Sequence, residues 1–315
     1  MRIELHTSTS ALRSNSTGAL FANLDHGLAE VVRELVREQP LRRGVRALVA
    51  GLRAEPGSWI EPPDPRTLAA AVRGFGKLAR YHRLEVRGLP RVPDGPAVFV
   101  GNHNGGLNPV DGLFLVHYYR TLGYERPVYV LAHDILFKHP KMAAVMRSVG
   151  IVPARRETAQ RVLDSGHKLL VFPGGDLETL RPYKDRRKVV LAGRQGFCRL
   201  ALEHRVPLIP LVSAGSHETL IVLRQGRRLA KALRLPKWAR LHSLPVMLAF
   251  PWGVLVGPTC ALPYLPLPAK VTVQIGEPID SRQWARPERL YRYVEGTMQG
   301  MLDDLYAERM LPILG

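Results

Sequence analysis

The sequence is poor in cysteine, in acidic residues and in long uninterrupted apolar runs. Its two cysteines, Cys198 and Cys260, belong to no Cys-x-x-Cys pair and to no cluster with zinc-ligand spacing. A disulfide framework is therefore excluded, and a reducing compartment is expected. Lysine and arginine number 45 against 27 aspartate and glutamate, which gives a net charge of +18. Such a charge predicts attraction to a polyanion, meaning nucleic acid, an anionic membrane surface or an acidic substrate.

One long segment, Ser243–Ala269, contains no Asp, Glu, Lys or Arg. It contains six prolines, which would break a membrane-spanning helix repeatedly. We therefore expect apolar loops and short turns, either packed on the body of the protein or dipping into a membrane interface. The preceding residues 224–241 place seven Lys or Arg among leucines, as in a helix lying on an anionic membrane or in a solvated surface helix. Together the two segments favour a monotopic membrane contact.

The chain divides into three parts by composition. Residues 1–18 are rich in Ser and Thr, lack the apolar core of a signal peptide and are expected to form a loose tail. Residues 19–82 predict a helical N-terminal section, with helices at Asn23–Gln39, Leu41–Leu52 and Arg66–His82. In residues 83–315 short apolar runs alternate with helical segments. This alternation predicts an α/β domain with a mostly parallel central sheet flanked by helices.

The strands and helices of this domain can be assigned from the same pattern. The predicted strands are Ala97–Val100, Val128–Ala132, Gly150–Pro153, Lys168–Phe172, Leu208–Val212 and Val271–Ile275. The predicted helices are Pro109–Leu122, Lys138–Val149, Arg155–Ser165, Arg194–His204 and Pro287–Tyr306. In such a sheet, ligands bind along the edge at which the parallel strands end.

The most informative motif follows the first of these strands. A glycine-rich loop begins there, and it carries His103 with Asp111 eight residues further on. Histidine can take and return a proton near neutral pH, and a nearby carboxylate can fix its tautomer, so the pair is a candidate for general-base catalysis. The same residues also fit a loop histidine followed by a first-turn acid, because Asn108-Pro109 is a good helix start.

Two further motifs follow other predicted strands. Phe172-Pro173-Gly174-Gly175-Asp176 closes one of them, and its glycines can bring the backbone close to the oxygens of a ligand. A simple tight turn would have the same sequence. Arg155 and Arg156 begin the helix after another strand, where they either bind phosphate or carboxylate groups or form a solvated basic face. No metal site is evident in the sequence.

Together with a fourth block, Val206–Pro210, these motifs resemble those of the glycerolipid (lysophospholipid) acyltransferase superfamily. In that family a His-x4-Asp motif, an arginine block, an FPEG-type block and a late V-P-hydrophobic-x-P block follow in this order. The counterparts, within residues 83–279, are Asn102-His103, Gly150–Arg156, Phe172–Gly175 and Val206–Pro210. The resemblance implies an α/β fold and acyl transfer to a hydroxyl group, with His103 as the base.

The sequence departs from the family at the aspartate of the first motif. Asn108 stands at that position, and the nearest acid is Asp111. Either side chain is therefore a candidate partner of His103. This altered spacing is also compatible with a second interpretation, a non-catalytic lipid-binding protein on a degenerate acyltransferase fold.

A second departure lies in the FPEG-type block. Gly174 stands where the family has glutamate, which resembles the branch containing diacylglycerol-acyltransferase-like members. The arginine that follows this block in enzymes with phosphate-bearing acceptors has no direct counterpart, because Asp176-Leu177-Glu178 takes its place and Arg181 lies a few residues later. The resemblance therefore implies a neutral or weakly polar lipid alcohol as the acceptor.

The sequence thus predicts a lipid O-acyltransferase with His103 and Asp111 as catalytic residues. The predicted substrate-binding residues are Asn108, Arg155, Arg156, Phe172, Pro173, Gly174, Gly175 and Asp176. The acyl donor would be a thioester of coenzyme A or of acyl carrier protein, a co-substrate and not a bound cofactor. Backbone N–H groups of the Gly105–Gly106 or Gly174–Gly175 loop would stabilise the oxyanion.

The expected partners are a lipid acceptor, the acyl thioester and an anionic membrane surface. The expected location is cytoplasmic, bound peripherally to the cytoplasmic face of the membrane; no oligomeric state is indicated. Nucleic-acid binding is not expected, because it is suggested by the charge alone and no helix-turn-helix, zinc or RNP-like pattern supports it. A serine hydrolase is disfavoured because the sequence has no G-x-S-x-G elbow, and Ser216-His217-Glu218 is interpreted as a loop.

Overall fold

The computed structural model describes residues 62–106, 108, 110–238, 242–311 and 313–315. The predicted tail and the first two predicted helices lie outside these residues. Helix α1 (Pro65–Tyr81) begins where a carboxylate oxygen of Asp64 accepts the N–H of Thr67 at 2.9 Å. Its apolar stripe is buried in the same core as the central sheet, so this helix packs directly on the α/β domain.

The described residues form ten strands and nine helices, apart from short 3-10 turns. The strands are β1 (Glu85–Arg87), β2 (Val98–Gly101), β3 (Val128–Ala132), β4 (Ile151–Pro153), β5 (Lys168–Val171), β6 (Leu208–Ala214), β7 (Ile221–Arg224), β8 (Val246–Ala249), β9 (Gly253–Val256) and β10 (Thr272–Ile275). The helices after α1 are α2 (Phe114–Leu122), α3 (Pro140–Ser148), α4 (Arg156–Asp164), α5 (Asp176–Thr179), α6 (Gly196–His204), α7 (Arg227–Ala232), α8 (Leu235–Trp238) and α9 (Pro287–Ala307).

Seven strands form the central sheet, in the order β1-β10-β6-β2-β5-β3-β4. The five strands from β6 to β4 are parallel, whereas β10 runs antiparallel to β6 and pairs in parallel with β1. The predicted mostly parallel central sheet is therefore confirmed. Strands β2, β5 and β6 end at the same edge, so the loops that follow them meet there.

The central strands are buried on both faces. Val98 and Val100 of β2 pack with α4, α6 and α9 on one side, whereas Phe99 packs with α1 and α2 on the other. Double coverage explains why these strands appear in the sequence as continuous apolar runs and not as alternating patterns.

A second, antiparallel sheet is formed by β7, β8 and β9. Strands β8 and β9 lie in the segment Ser243–Ala269, for which only loops and short turns were predicted, so that prediction was wrong there. Pro245 precedes β8, Pro251 lies between β8 and β9, and Pro258 follows β9, so the prolines flank these strands without interrupting them. The preceding basic stretch is not one helix: its first arginine ends β7, and Arg234, with a φ of 54°, lies between the short helices α7 and α8. Within the described part of the chain, no helix is long and apolar enough to cross a membrane.

Candidate active site

His103 follows the end of β2 and contacts Asp111. Its Nδ1 lies 3.0 Å from Oδ2 of Asp111, which belongs to the 3-10 turn Val110–Leu113 and is 3% exposed. A carboxylate can only accept, so Nδ1 carries the proton and donates it to this bond. The lone pair of the neutral imidazole is then on Nε2, and the side chain of His103 is 28% exposed. This pair can therefore offer a base to a bound hydroxyl group.

Asp111 is held in place by Asn104. The side-chain Nδ2 of Asn104 donates to Oδ1 of Asp111 at 3.0 Å, and its backbone N–H donates to Oδ2 in a short bond. Three donors thus converge on one buried carboxylate. Its side chain is directed at the His103 loop, so Asp111 does more than begin the turn that leads into α2.

Asn108, the other candidate partner, makes a different contact. Its backbone N–H donates to the carbonyl of Gly105 at 3.2 Å. Its side-chain Nδ2 is buried and has no hydrogen-bond partner within the part of the chain that the structure describes. Gly105 and Gly106 have positive φ angles of 74° and 65°, which glycine adopts readily. This turn belongs to the longer loop that brings Asp111, and not Asn108, to the histidine ring.

Phe172, predicted to bind substrate, packs on the imidazole of His103. The two rings are stacked with their centroids 4.8 Å apart and an interplanar angle of 24°. The space for this phenyl ring depends on Gly101, because a Cβ at that position would lie 2.5 Å from the Phe172 ring. The phenyl ring therefore holds one face of the imidazole while Asp111 holds its edge.

Glu178 forms hydrogen bonds that support the His103 loop, and the sequence interpretation did not identify it as a site residue. Its Oε2 accepts the backbone N–H of His103 at 2.9 Å, and its Oε1 accepts the N–H of Val190 at 2.8 Å. The side chain is fully buried, and burial raises the pKa of Glu178 to about 7. A Cβ at Gly174 would lie 2.4 Å from this carboxyl group and 2.2 Å from the carbonyl of Val190. Gly174 thus leaves room for a carboxyl group that comes from four residues further on.

Arg181 is a second missed residue, and it is 2% exposed. Its guanidinium group donates to the carbonyl oxygens of His103, Glu178, Asp185 and Arg186 and to Oδ1 of Asn104, over 2.6 to 3.1 Å. These five bonds match the five N–H donors of an arginine. Arg181 therefore orders the His103 loop, and none of its donors is left to bind a phosphate group.

The turn after β6 is also part of this support. Ser216-His217-Glu218, interpreted above as a loop, forms a buried 3-10 turn. Nε2 of His217 donates to the carbonyl of Arg181 at 2.8 Å, and burial lowers the pKa of His217 well below its usual value. Glu218 accepts from Arg309 and from the N–H of Ile313, both at 2.6 Å. Proximity in sequence to a strand end was the available signal for these residues.

The remaining residues of the Pro-Gly-Gly-Asp block contact a cation that the sequence interpretation did not consider. Arg194 donates to the carbonyl of Pro173 at 2.9 Å, and its guanidinium lies against Gly175, whose Cβ would be 2.6 Å from Nη1. Asp176 accepts the N–H of His242 at 2.5 Å and lies 3.7 Å from Nη2 of Arg194. These contacts hold the turn, and none of them reaches His103.

Arg155 and Arg156 are not brought against His103. They follow β4, which is three strands away from β2, or about 14 Å at the usual strand spacing. Arg155 lies 3.5 Å from Asp134 and Arg156 lies 2.7 Å from Glu203, and both side chains are exposed. Among the described residues no cluster of His, Cys, Asp and Glu is arranged to hold a metal ion.

Comparison with known protein families identifies the class of protein to which this fold belongs. Residues 83–214 match the Acyltransferase family model, so the chain carries a domain of the acyltransferase family. This match confirms the resemblance drawn from the four motifs. A structural neighbour, the 1-acyl-sn-glycerophosphate acyltransferase PlsC from Thermotoga maritima, has a TM-score of 0.51 and 19% identity, covering 85% of this chain and 90% of that one. At this identity the likeness concerns the fold.

Several curated proteins are similar to this chain in sequence. An uncharacterised protein of Mycobacterium tuberculosis is 33% identical over 226 residues, covering 70% of this chain and 60% of the relative. A protein of Homo sapiens named "DGAT1/2-independent enzyme synthesizing storage lipids" is 27% identical over 234 residues, covering 72% of this chain and 63% of the relative. Its Mus musculus counterpart is 26% identical over 229 residues, with 72% and 62% covered. The chain thus spans about 60% of the length of these relatives.

Proposed function

We propose that this protein is an O-acyltransferase that moves a fatty acyl group from a thioester to the hydroxyl group of a lipid. The observation that carries the proposal is the contact between His103 and Asp111 at the end of β2, within an acyltransferase-family domain. The altered spacing of the two residues suggested a degenerate site, but the loop geometry restores the contact. A catalytic role therefore has a structural basis.

In the proposed reaction His103 acts as the general base. Nε2 takes the proton of the acceptor hydroxyl as its oxygen attacks the thioester carbonyl. Asp111 keeps the ring in the required tautomer and stabilises the imidazolium that forms. The tetrahedral intermediate then expels the thiolate, which leaves as a thiol after taking the proton from Nε2. Each turnover yields one ester and one thiol, and the histidine returns to its neutral form.

The backbone of Gly105–Gly106 is the better candidate for stabilising the oxyanion. The N–H of Gly175 already donates to the carbonyl of Phe172 at 3.1 Å. In contrast, Gly105 and Gly106 are held through their carbonyls, which accept from Tyr264 at 2.8 Å and from Thr179 at 3.2 Å. A loop fixed in this way can present N–H groups without reorganising during the reaction.

The acceptor is proposed to be a neutral or weakly polar lipid alcohol. All five donors of Arg181 are taken by the protein, so it offers nothing to a phosphate group. The human and mouse relatives named as enzymes synthesizing storage lipids support a lipid product. The donor is proposed to be acyl-CoA or acyl carrier protein, with the exposed Arg155 and Arg156 available for its phosphates. The protein is proposed to bind peripherally to an anionic membrane on the cytoplasmic face.

The test is thiol release from long-chain acyl-CoA and acyl carrier protein by the purified protein. The acceptor panel contains lysophospholipid, monoacylglycerol, diacylglycerol and fatty alcohol. We expect acceptor-dependent release that falls by roughly 10²- to 10⁴-fold in His103→Ala. His139→Ala, a half-buried histidine at the start of α3, is the matched control and should keep full activity.

Two results would contradict the proposal. Full activity of His103→Ala would remove His103 from the mechanism. Absence of release with every acceptor and both donors, together with saturable binding to lipid vesicles, would support the non-catalytic lipid-binding protein instead.

A further inference from the structure

The outer face of the small sheet is apolar, and it is exposed among the residues that the structure describes. Its register sets Ile221 beside Leu248 and Leu248 beside Val254, and it pairs Val246 with Val256. Val254 is 59% exposed, and Leu248 and Val256 are exposed as well. The opposite face, with Val222, Met247 and Leu255, is buried in a small core of its own. Because side chains alternate between faces, this sheet has apolar residues on both sides.

The turn between β8 and β9 extends this apolar face. Phe250 is 62% exposed and Trp252 is 51% exposed. The indole N–H of Trp252 donates to the carbonyl of Pro263 at 2.6 Å, so the ring can enter an apolar environment without leaving a donor unpaired. Leu265, also exposed, is bridged to Phe250 through the backbone. We call these residues together with the outward side chains of β7, β8 and β9 the outer sheet face.

An antiparallel sheet with one face on a core usually presents polar side chains to water on the other. A contiguous exposed apolar patch marks a surface that is covered in function.

The charge around the patch indicates what covers it. Residues 221–269 contain seven Lys or Arg and no Asp or Glu. Arg224 pairs with Val246 on the sheet, and α7, with the exposed Arg227, Arg228 and Lys231, begins three residues further on.

This charge argues against a second copy of the chain as the occupant. Four cations lie on or beside this face, Arg224, Arg227, Arg228 and Lys231, so two copies in contact would bring eight cations together with no acidic residue from this segment. An anionic lipid surface satisfies both properties at once, since it offers hydrocarbon to the apolar side chains and negative headgroups to the basic ones.

The segments next to the small sheet also contact the His103 loop. The hydroxyl of Tyr264, in the segment after β9, donates to the carbonyl of Gly105 at 2.8 Å. A Cβ at Gly106 would lie 2.5 Å from that hydroxyl and 2.7 Å from Leu220, which immediately precedes β7. The segments at both ends of the small sheet thus pack on the loop that carries His103.

We propose that the outer sheet face is the membrane-docking surface of this protein, inserting Phe250, Trp252 and Val254 into the headgroup region of an anionic bilayer. The basic residues of α7 bind the anionic headgroups alongside. The inference rests on the proposed action on a membrane lipid, because docking by this face would set the His103 loop at the interface that holds the acceptor.

Vesicle flotation with the full chain tests the proposal. The vesicles are phosphatidylcholine with and without phosphatidylglycerol. We expect Phe250→Glu/Val254→Glu to weaken binding to mixed vesicles by about tenfold or more, because it sets charges in the inserted face. Arg227→Gln/Arg228→Gln/Lys231→Gln should weaken binding only to the anionic vesicles, by about fivefold for each charge removed, and raised salt should abolish that difference. Phe75→Glu, an exposed aromatic residue on α1, is the control and should bind as wild type.

Trp252 provides a direct reporter. Without vesicles, aqueous iodide should quench it, and with anionic vesicles its emission should shift to the blue and be protected. Trp252→Phe should remove this change, although three other tryptophans remain in the chain. Protection of Trp252 in the dilute protein before any lipid is added would mean that protein covers this face, and the proposal would be wrong. Wild-type vesicle binding by Phe250→Glu/Val254→Glu would equally overturn it.

The test separates this inference from the proposed function. His103→Ala should bind vesicles as wild type does, because His103 lies outside the outer sheet face. Vesicle binding without thiol release would leave the docking surface standing and reject acyl transfer. Thiol release with a detergent-dispersed acceptor but without any vesicle binding would leave acyl transfer standing and reject the docking surface.

Discussion

The central sheet and the small sheet differ in what covers their faces. Strands β2, β5 and β6 of the central sheet are buried at every position, because helices pack on both sides. Strand β9 of the small sheet exposes Gly253, Val254 and Val256 and buries only Leu255. Both sheets nevertheless contain strands without a polar side chain, such as Val98–Gly101 in the central sheet and Gly253–Val256 in the small one. The two regions therefore differ in that the small sheet has an apolar strand that none of the described residues covers.

The difference agrees with the roles proposed above for the two sheets. At the edge of the central sheet three strand ends meet, and many hydrogen bonds fix the polar groups there. A site that carries out a reaction requires groups fixed in this way. The strands of the small sheet contain one charged side chain, Arg224, and the segments that flank these strands contact that edge, among other places through Leu220 and Tyr264. The following predictions test whether function divides between the two sheets in this way.

The largest expected effect concerns the two acids that follow strands of the central sheet. Asp111→Asn should lower kcat by roughly 10²-fold with little change in KM, because an amide cannot hold the imidazole in the required tautomer or stabilise the imidazolium. Asp176→Asn should have little effect, since Asp176 contacts Arg194 and His242 and not His103. The double variant His103→Ala/Asp111→Asn should be no slower than His103→Ala alone, because Asp111 acts through His103. Additive losses would give Asp111 a separate role.

The next effect concerns the packing of Gly174 against Glu178, which supports the His103 loop. Gly174→Ala should lower the free energy of unfolding by about 1–3 kcal/mol, because its Cβ would meet the carbonyl of Val190 at 2.2 Å and the carboxyl of Glu178. Gly300→Ala in α9, where nothing lies within 4 Å of the new Cβ, should be neutral or stabilising by up to about 1 kcal/mol. Denaturant titrations of the two variants measure the difference. Equal stability would mean that the turn after β5 can shift.

Much of the central sheet could be predicted from the sequence. The doubly covered strands give unbroken apolar runs, and β2 to β6 were each located to within two residues. Strand β1 was missed because its three residues, Glu85–Arg87, include two charged ones. The His103 loop was recognisable because glycines follow a buried strand. The support from Arg181 was not, because it reaches Asn104 across 77 positions of the chain.

The small sheet was harder to predict for a physical reason. Half-covered strands are normally found by alternation of apolar and polar residues. Here both faces are apolar, so Val246–Ala249 and Gly253–Val256 show no alternation. Prolines at the strand ends then resembled prolines inside a loop. The partner of His103 was left open between Asp111 and Asn108, because the path of the intervening loop depends on the contacts of Asn104 with Asp111.

A smaller effect is expected in the pH dependence of stability. Burial raises the pKa of Glu178 to about 7, whereas in the unfolded chain it is near 4.5. Between these values the folded protein holds the proton and the unfolded chain has lost it, so the free energy of unfolding should fall as pH rises from about 4.5 to about 7. Glu178→Gln should reduce this fall.

His217 gives the opposite sign and serves as the matched comparison. Burial lowers the pKa of His217 well below the usual 6.5. Below pH 6.5 the unfolded chain therefore binds a proton that the folded protein does not bind. Stability due to His217 is present above pH 6.5 and is lost as pH falls below it. His217→Gln should reduce the loss on the acidic side. Unfolding measured at a series of pH values checks both slopes, and parallel curves for the wild type and both variants would contradict them.

The smallest effect contrasts the two faces of the small sheet with a single substitution. Val254→Thr on the outer sheet face should change the free energy of unfolding by less than about 0.5 kcal/mol, because the new hydroxyl remains in water. Val222→Thr on the buried face should cost about 1–3 kcal/mol, because its hydroxyl would be buried beside Met247 and Leu255. Denaturant titration in the absence of lipid measures both. A similar loss in both variants would mean that protein covers the outer sheet face. A neutral Val254→Thr would mean that the apolar side chain of Val254 does not contribute to folding, as expected if it contacts a lipid surface instead.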